Sequence, residues 1–339
     1  MIMWRYAVAM LILASPVWAQ NSPGPTLASV LKKGYVACAV APAVPGFSAI
    51  DSKGEFHGLD TDICRAVAAA IFGGASHARF VPTAGGQRLP SLQSGQVDLV
   101  VDVLTQTQTR EAANGLLFTG VSFYDGQGFL VRRSTGLRQA KDLDGASVCV
   151  TAGSTSELNL ADWAAANHLK ISPVIFERTD EAREAYNAGR CDTYSTDSSQ
   201  LAAIATVMKD PENQMILPDI ISKEPLGPAV RQGDDQWYEI VKWTLNALIE
   251  AEELGITRGN VEEKLTSPNA AAKRLLGVTG DFGRFMALDN KWAFNAIKEV
   301  GNYGEMFDRT LGAGGVLKLP RGKNALWSQG GLMYSAPIR

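Results

Sequence analysis

The stretch Ser94–Arg110, SGQVDLVVDVLTQTQTR, decides the fold. From Val97 to Leu104 it is apolar and β-branched, broken only by Asp98 and Asp102. Such a run fits a strand covered on both faces, as in a parallel sheet, and predicts a strand over 97–104. It then enters a polar loop with Thr105, Thr107 and Thr109 and meets Arg110 where a helix is expected to start. Open α/β sheets bind small ligands just beyond the carboxyl ends of their strands. Hydroxyls and a planar guanidinium fork at that place suit a carboxylate. The same residues would also serve as a solvated loop with capping threonines and a surface arginine.

Around this stretch lie 339 residues, 46% hydrophobic and 20% charged, with a formal net charge of −3. That is enough chain for two domains with sizeable cores, and nothing in it points to nucleic acid. Residues 1–19 read as an export signal: Arg5 is the positive charge, Ala7–Ala14 the apolar stretch and Val17-Trp18-Ala19 the small-residue cleavage site. This run is too short to span a bilayer, and no later stretch is long and apolar enough. A soluble, exported, mildly acidic protein is expected. Cys38, Cys64, Cys149 and Cys191 form no CxxC pair, which speaks for two disulfides in an oxidising compartment and against a zinc site. Their number leaves three pairings. We favour Cys38–Cys64 and Cys149–Cys191, because each ties a predicted strand to a later element of the same half.

The rest of the chain alternates strand and helix. A short helix is expected over 27–33 and a strand over 35–40. An alanine-rich helix capped by Asp60 or Asp62 ends at Gly73, and another strand runs over 78–82. An extended stretch at 124–131 reads as a crossover into a second α/β pattern. Strands are expected there over 146–151, 174–177 and 191–196, with helices over 180–188 and 201–208. Ser154 and Glu157 fit a capping box. Residues 225–230 read as the return crossing, followed by a periodic helix with Trp237, Val241, Leu245 and Leu248 on one stripe. The fold class is therefore α/β, two doubly wound lobes joined by a two-strand hinge. The boundaries are residues 20–126 with 229–339 for lobe 1, including a C-terminal extension over 278–339, and residues 127–228 for lobe 2.

GLDTDICRAVAAAI, residues 58–71, resembles the signature of the periplasmic solute-binding proteins for polar amino acids that serve ABC importers. DGASVCVTAGSTSELNLADW from Asp144, DEAREAYNAGRCDTYSTD from Asp180, the ISKEPLGPAVRQ stretch from Ile221 and LPRGKNALWSQGGLMYSAP from Leu319 resemble its general L-amino-acid branch. The resemblance covers nearly all of the mature chain. It implies a type II bilobal receptor that closes on a ligand by hinge motion, does no chemistry, uses no cofactor, and docks as a monomer on an inner-membrane permease. The cysteines recur in this branch, in keeping with the pairing above.

By the same resemblance, Arg110 holds the ligand's α-carboxylate, helped by Thr105, and Asp197 receives its α-ammonium group. Thr155 and the amides of Ser154–Ser156 stand at a helix N-terminus, where free N–H groups favour an anion. Read without the resemblance, Asp197 is a helix N-cap. Three features depart from the branch: Asp102 and Val103 replace an arginine and an asparagine, Gln106 replaces a tryptophan, and Gly85-Gly86 replaces bulkier side chains. If Asp102 faces the cleft, it disfavours acidic ligands and favours cationic or neutral ones. The glycine pair suggests a roomier pocket, for a larger or modified amino acid. Phe47, Phe123 and Tyr124 could pack against a ligand side chain. His57, His77 and His168 stand in unrelated contexts, and no metal-ligand spacing occurs. The competing reading is a dehydratase-like periplasmic enzyme on the same scaffold, which would need a general acid or base; Asp102 is its only candidate.

Overall fold

The computed structural model describes residues 22–339, so the export signal read over 1–19 lies outside the described residues. Helix α1 (Pro25–Lys33) starts on a proline, where a missing N–H costs no hydrogen bond, and is followed by Gly34 at φ 79°. Strand β1 (Val36–Val40) is buried throughout. A small three-stranded sheet of β2 (Ala43–Val44), β3 (Ser48–Ile50) and β4 (Phe56–His57) leads into α2 (Leu59–Phe72). Then come β5 (Ala78–Pro82), α3 (Arg88–Gln93), β6 (Leu99–Val100) and β7 (Leu116–Phe118).

Two local expectations are corrected here. Neither Asp60 nor Asp62 caps α2; Gly58 at φ 139° precedes it, where a Cβ would lie 2.1 Å from the Phe47 carbonyl oxygen. Asp60 instead accepts the Val103 N–H at 2.9 Å, and Asp62 pairs with Arg309 at 2.5 Å. The strand read over 97–104 pairs only at Leu99–Val100. Apolar residues continue past it because the loop is buried too, and Val103 sits at φ 42°, a left-handed conformation strained for a β-branched residue.

The chain crosses through β8 (Phe123–Asp125) into β9 (Gln127–Arg132) and β10 (Ser147–Thr151). Next are α4 (Thr155–Ala166), β11 (Ser172–Phe176), α5 (Thr179–Asn187), β12 (Thr193–Asp197), α6 (Ser198–Thr206) and β13 (Gln214–Ile216). It returns through β14 (Glu224–Leu226) and β15 (Ala229–Arg231) to α7 (Asp235–Glu253). The C-terminal part holds α8 (Ala270–Leu275), α9 (Phe282–Phe285), α10 (Trp292–Val300) and α11 (Tyr303–Thr310).

Two five-stranded sheets result, ordered β5-β1-β6-β15-β7 and β11-β10-β12-β9-β13. Each has three parallel strands at one side. Only the fourth strand, β9 or β15, runs against the rest, as the continuation of a crossing segment. The crossings themselves pair antiparallel, with Asp125 opposite Glu224 and Phe123 opposite Leu226. This is the two-lobed, two-crossing architecture expected above.

Helix α7 buries Trp237, Val241, Leu245 and Leu248. The Trp237 indole N–H donates to the Asp98 carbonyl at 2.9 Å. The Asp98 carboxylate accepts the Ala37 N–H at 2.8 Å and pairs with Lys33, which accounts for an acid inside an apolar run. The C-terminal segment packs behind the first crossing: Tyr303 donates to the Ser122 carbonyl at 2.8 Å, and Asn324 bonds both the N–H and the C=O of Tyr124.

The disulfides are Cys38–Cys64, joining β1 to α2, and Cys149–Cys191, joining β10 to the segment before β12. Their sequence separations of 26 and 42 residues correspond to about 3–4 kcal/mol each from restricting the unfolded chain. Replacing Cys149 and Cys191 together by alanine should lower Tm by roughly 10 °C in a melting experiment. An unchanged Tm would show that this link adds nothing to stability.

Candidate functional site

The two sheets face each other across a cavity of about 150 Å³ at the carboxyl ends of β6, β10 and β12. Asp102, Thr105 and Arg110 line it from the first lobe, and Ser154, Thr155 and Asp197 from the second. All six residues singled out from the sequence thus border one space. Arg110 sits on a single π turn, Thr109–Ala113, rather than at a helix start, and is only 6% exposed. One guanidinium nitrogen donates to the Thr105 carbonyl at 2.6 Å, which aims the fork while leaving further N–H groups for a ligand. Burial, then the nearby Arg88 cation, pushes its pKa down to about 10, with Glu224, Asp197 and Asp102 opposing.

Asp197 precedes α6, but its carboxylate caps no backbone N–H of that helix. Gln200 donates to one oxygen at 2.9 Å, and the other has no partner among the described residues. The capping alternative therefore fails. Burial raises the Asp197 pKa well above the carboxylate range, and the charges of Asp125 and Glu224 add to it. The Ser199 hydroxyl and N–H both bond Asp125, whose pKa burial lifts to about 6. The site is thus rich in carboxylates, with room for one more cation.

Ser154 caps α4, accepting the Glu157 N–H at 3.2 Å. Glu157 reaches back to the Gly153 N–H at 3.0 Å, one residue earlier than a capping box requires. The first N–H groups of the helix point to the cavity end without intrahelical partners. The hydroxyls of Thr105 and Thr155 both donate to one oxygen of Glu224, at 2.6 and 2.9 Å. Their protons are committed, so they offer the cavity lone pairs; an anion must take the amides instead.

Asp102 does border the cavity, yet it is not a bare charge. Thr83 donates to it at 2.9 Å, and a nitrogen of Arg88, bonded to the Asp102 carbonyl, lies 3.9 Å from its other oxygen. The Arg88 guanidinium thus stands beside the Asp102 carboxylate. Burial raises the Asp102 pKa against these two partners. Of the glycine pair only Gly85 borders the cavity, where a Cβ would come within 3.4 Å of Thr151 on the other lobe. Its bareness serves close approach of the lobes. Gln106 bonds Glu111 away from the cavity. Phe47 and Phe123 pack edge to face in the core, their ring centres 5.2 Å apart. Phe47, Phe123 and Tyr124 do not line the cavity.

Sequence reasoning missed Arg88, Arg178, Asp180 and Glu224. Neither Glu224 nor Arg88 had a local signal: Glu224 follows Lys223 just before the crossing read over 225–230, and a cation in a short helix looks like surface. Among the described residues no group of three or more His, Cys, Asp or Glu is placed to hold a metal ion, and no helix is long and apolar enough to cross a membrane.

A carboxyl with a higher pKa in the folded than in the unfolded chain holds its proton more tightly when folded. Its stabilising contribution is present at low pH and is lost as pH rises through the folded pKa. Burial places Asp60 at about 7 and Asp125 at about 6. The ligand-free protein should therefore be more stable near pH 5 than near pH 8, by at least about 1 kcal/mol or roughly 2–4 °C in Tm. Asp60→Asn should shrink that difference. A melting temperature that stays flat or rises from pH 5 to pH 8 would contradict this charge distribution.

Residues 36–257 match the bacterial extracellular solute-binding proteins, family 3. The chain is 48% identical to a putative amino-acid ABC transporter-binding protein, YhdW, of Escherichia coli K12, over 99% of this chain and 100% of that one. It is also 48% identical to the general L-amino acid-binding periplasmic protein AapJ of Rhizobium johnstonii, over 98% of each. An ABC transporter periplasmic binding protein from Brucella ovis, solved with glutathione bound, superposes with a TM-score of 0.91 at 47% identity, covering 93% of this chain and 99% of that one. With two α/β lobes closing on a charged cavity and these relatives along its whole length, the chain belongs to the family 3 bacterial extracellular solute-binding proteins.

Proposed function

We propose that the protein is a periplasmic receptor for L-α-amino acids and their derivatives, delivering them to an ABC importer in the inner membrane. The observation that carries this reading is a buried guanidinium and a buried, half-partnered carboxylate in one cavity, each from a different lobe. An α-amino acid presents the matching pair. Its carboxylate takes the free N–H groups of Arg110 and the amides of Ser154–Ser156 at the start of α4. Its ammonium takes Asp197 and the lone pairs of Thr105 and Thr155. Closing the lobes excludes water and strengthens both sets of bonds.

Beyond the anchors the cavity continues to Arg88, Asp102, Arg178 and Asp180, with Pro42, Ala43 and Val44 as an apolar wall. That mixed lining favours ligands extended past the α-carbon, and glutathione, bound by the Brucella ovis relative, has such a shape with a free α-amino-acid end. Because Arg88 neutralises Asp102, neutral and acidic ligands are both accommodated. One chain supplies the whole cavity, in keeping with action as a monomer. Export by cleavage after Ala19 accords with the extracellular family. The relatives are named as binding proteins, and Asp102, tied to Thr83 and Arg88, is poorly placed to move a proton, so the receptor reading is preferred to an enzyme.

A thermal-shift screen over amino acids, opines, glutathione and short peptides should give L-α-amino compounds as hits. At a hundredfold excess over Kd, a ligand adds about 2.7 kcal/mol. Arg110→Ala and Asp197→Ala should each weaken binding at least about a hundredfold while the protein stays folded. The affinity of a bound amino acid should also fall as the solution is acidified, as Asp197 gains the proton that competes with the ammonium. Full affinity in either variant would sink the site assignment, and consumption of a compound would point to an enzyme.

A further inference from the structure

We propose that Glu224 is the latch of the hinge, a positioning carboxylate that joins the ligand-facing threonines of the two lobes when the cleft closes. This rests on the receptor reading above but concerns the movement, not the anchors. Glu224 lies in β14, on the return crossing, and is 1% exposed. One of its oxygens accepts from the Ser222 hydroxyl at 2.5 Å and the Asn159 amide at 2.7 Å. The other accepts from Thr155, first residue of α4, at 2.9 Å and from Thr105, beyond β6, at 2.6 Å. Three of these donors belong to the crossing or to the second lobe. Thr105 alone comes from the first. The backbone around Thr105 is bonded to the crossing itself, Gly227 N–H to the Leu104 carbonyl at 3.0 Å and Gln106 N–H to the Pro225 carbonyl at 2.8 Å, so Glu224 stays with Thr105, and the bonds from Thr155 and Asn159 are the ones that span the boundary.

The geometry leaves little freedom. The two threonine oxygens are 3.3 Å apart, directly over a single carboxylate oxygen. A hinge rotation that opens the cleft must part Thr105 from Thr155, and one oxygen cannot follow both. Closure remakes the bond in a space emptied of water, where a hydrogen bond to a charged group is strongest. It also sends both hydroxyl protons to Glu224 and turns the threonine lone pairs to the cavity. The latch thus couples closing to the presentation of acceptors.

A bond made only after the first encounter acts on departure rather than arrival. With L-glutamine as the probe in stopped-flow measurements, Glu224→Gln should raise the dissociation rate about tenfold, with the association rate within about threefold of wild type. Glu224→Asp, which keeps the charge but not the reach, should move the same way. Thr155→Val combined with Glu224→Gln should be no worse than Thr155→Val alone. An unchanged dissociation rate in a folded Glu224→Gln protein, additive losses in the double variant, or failure of both Glu224 variants to fold would overturn the latch. Failure of wild type to bind L-glutamine would count against the receptor reading instead. The latch would then be decided with glutathione as the probe in the same measurements: faster dissociation from Glu224→Gln supports it, and an unchanged rate overturns it.

Discussion

Opposite charges that must be buried, but that sit on different lobes, set the terms for everything else in this molecule. Arg110 belongs to the first sheet and Asp197 to the second, and burial works against the charge of each. Neither can satisfy the other completely, because the cavity between them is meant to be filled. A zwitterion carries both complementary charges on one carbon and relieves both at once. In the proposed reading, binding and closure are a single event: the ligand's two charges make a closed, dry cavity favourable.

That arrangement places demands on the hinge. The crossing strands β8 and β14 carry Asp125 and Glu224 face to face at the point where the lobes meet. Buried acids have to find donors, and here they find them in both directions: Asp125 in Ser199, Glu224 in residues of both lobes. Behind β8, Asn324 bonds the Tyr124 backbone like an additional strand, and Tyr303 bonds Ser122. The long C-terminal segment is therefore part of the hinge's support. It braces the first crossing from behind.

Much of this was legible in the residues. The alternation of apolar strands with capped helices located most elements to within a residue or two, and the four cysteines paired within their own halves as read. Errors arose where one residue type serves two ends. Valines at 97–104 look like a strand whether they pair in a sheet or lie buried in the loop after it, so β6 was read too long. Asp60 and Asp62 look like helix caps, yet they bond Val103 and Arg309 from far along the chain. Asp102 looked like an unbalanced charge because its partner, Arg88, stands on another element.

The sequence by itself determined the α/β class, the two crossings, the disulfide partners and the residue types of the site. The class and the crossings rest on local period and turn chemistry, the favoured disulfide pairing on the elements its cysteines tie together, and the roles of the site residues on the resemblance to a known family. Only the tertiary structure decided that Asp197 faces a cavity rather than a helix end, that Arg88 answers Asp102, and that Glu224 gathers Thr105 and Thr155. The reason is distance along the chain. Thr105 and Glu224 are 119 residues apart, and a hydrogen bond of 2.6 Å between them is set by how two sheets and two crossing strands pack. No local pattern encodes that approach.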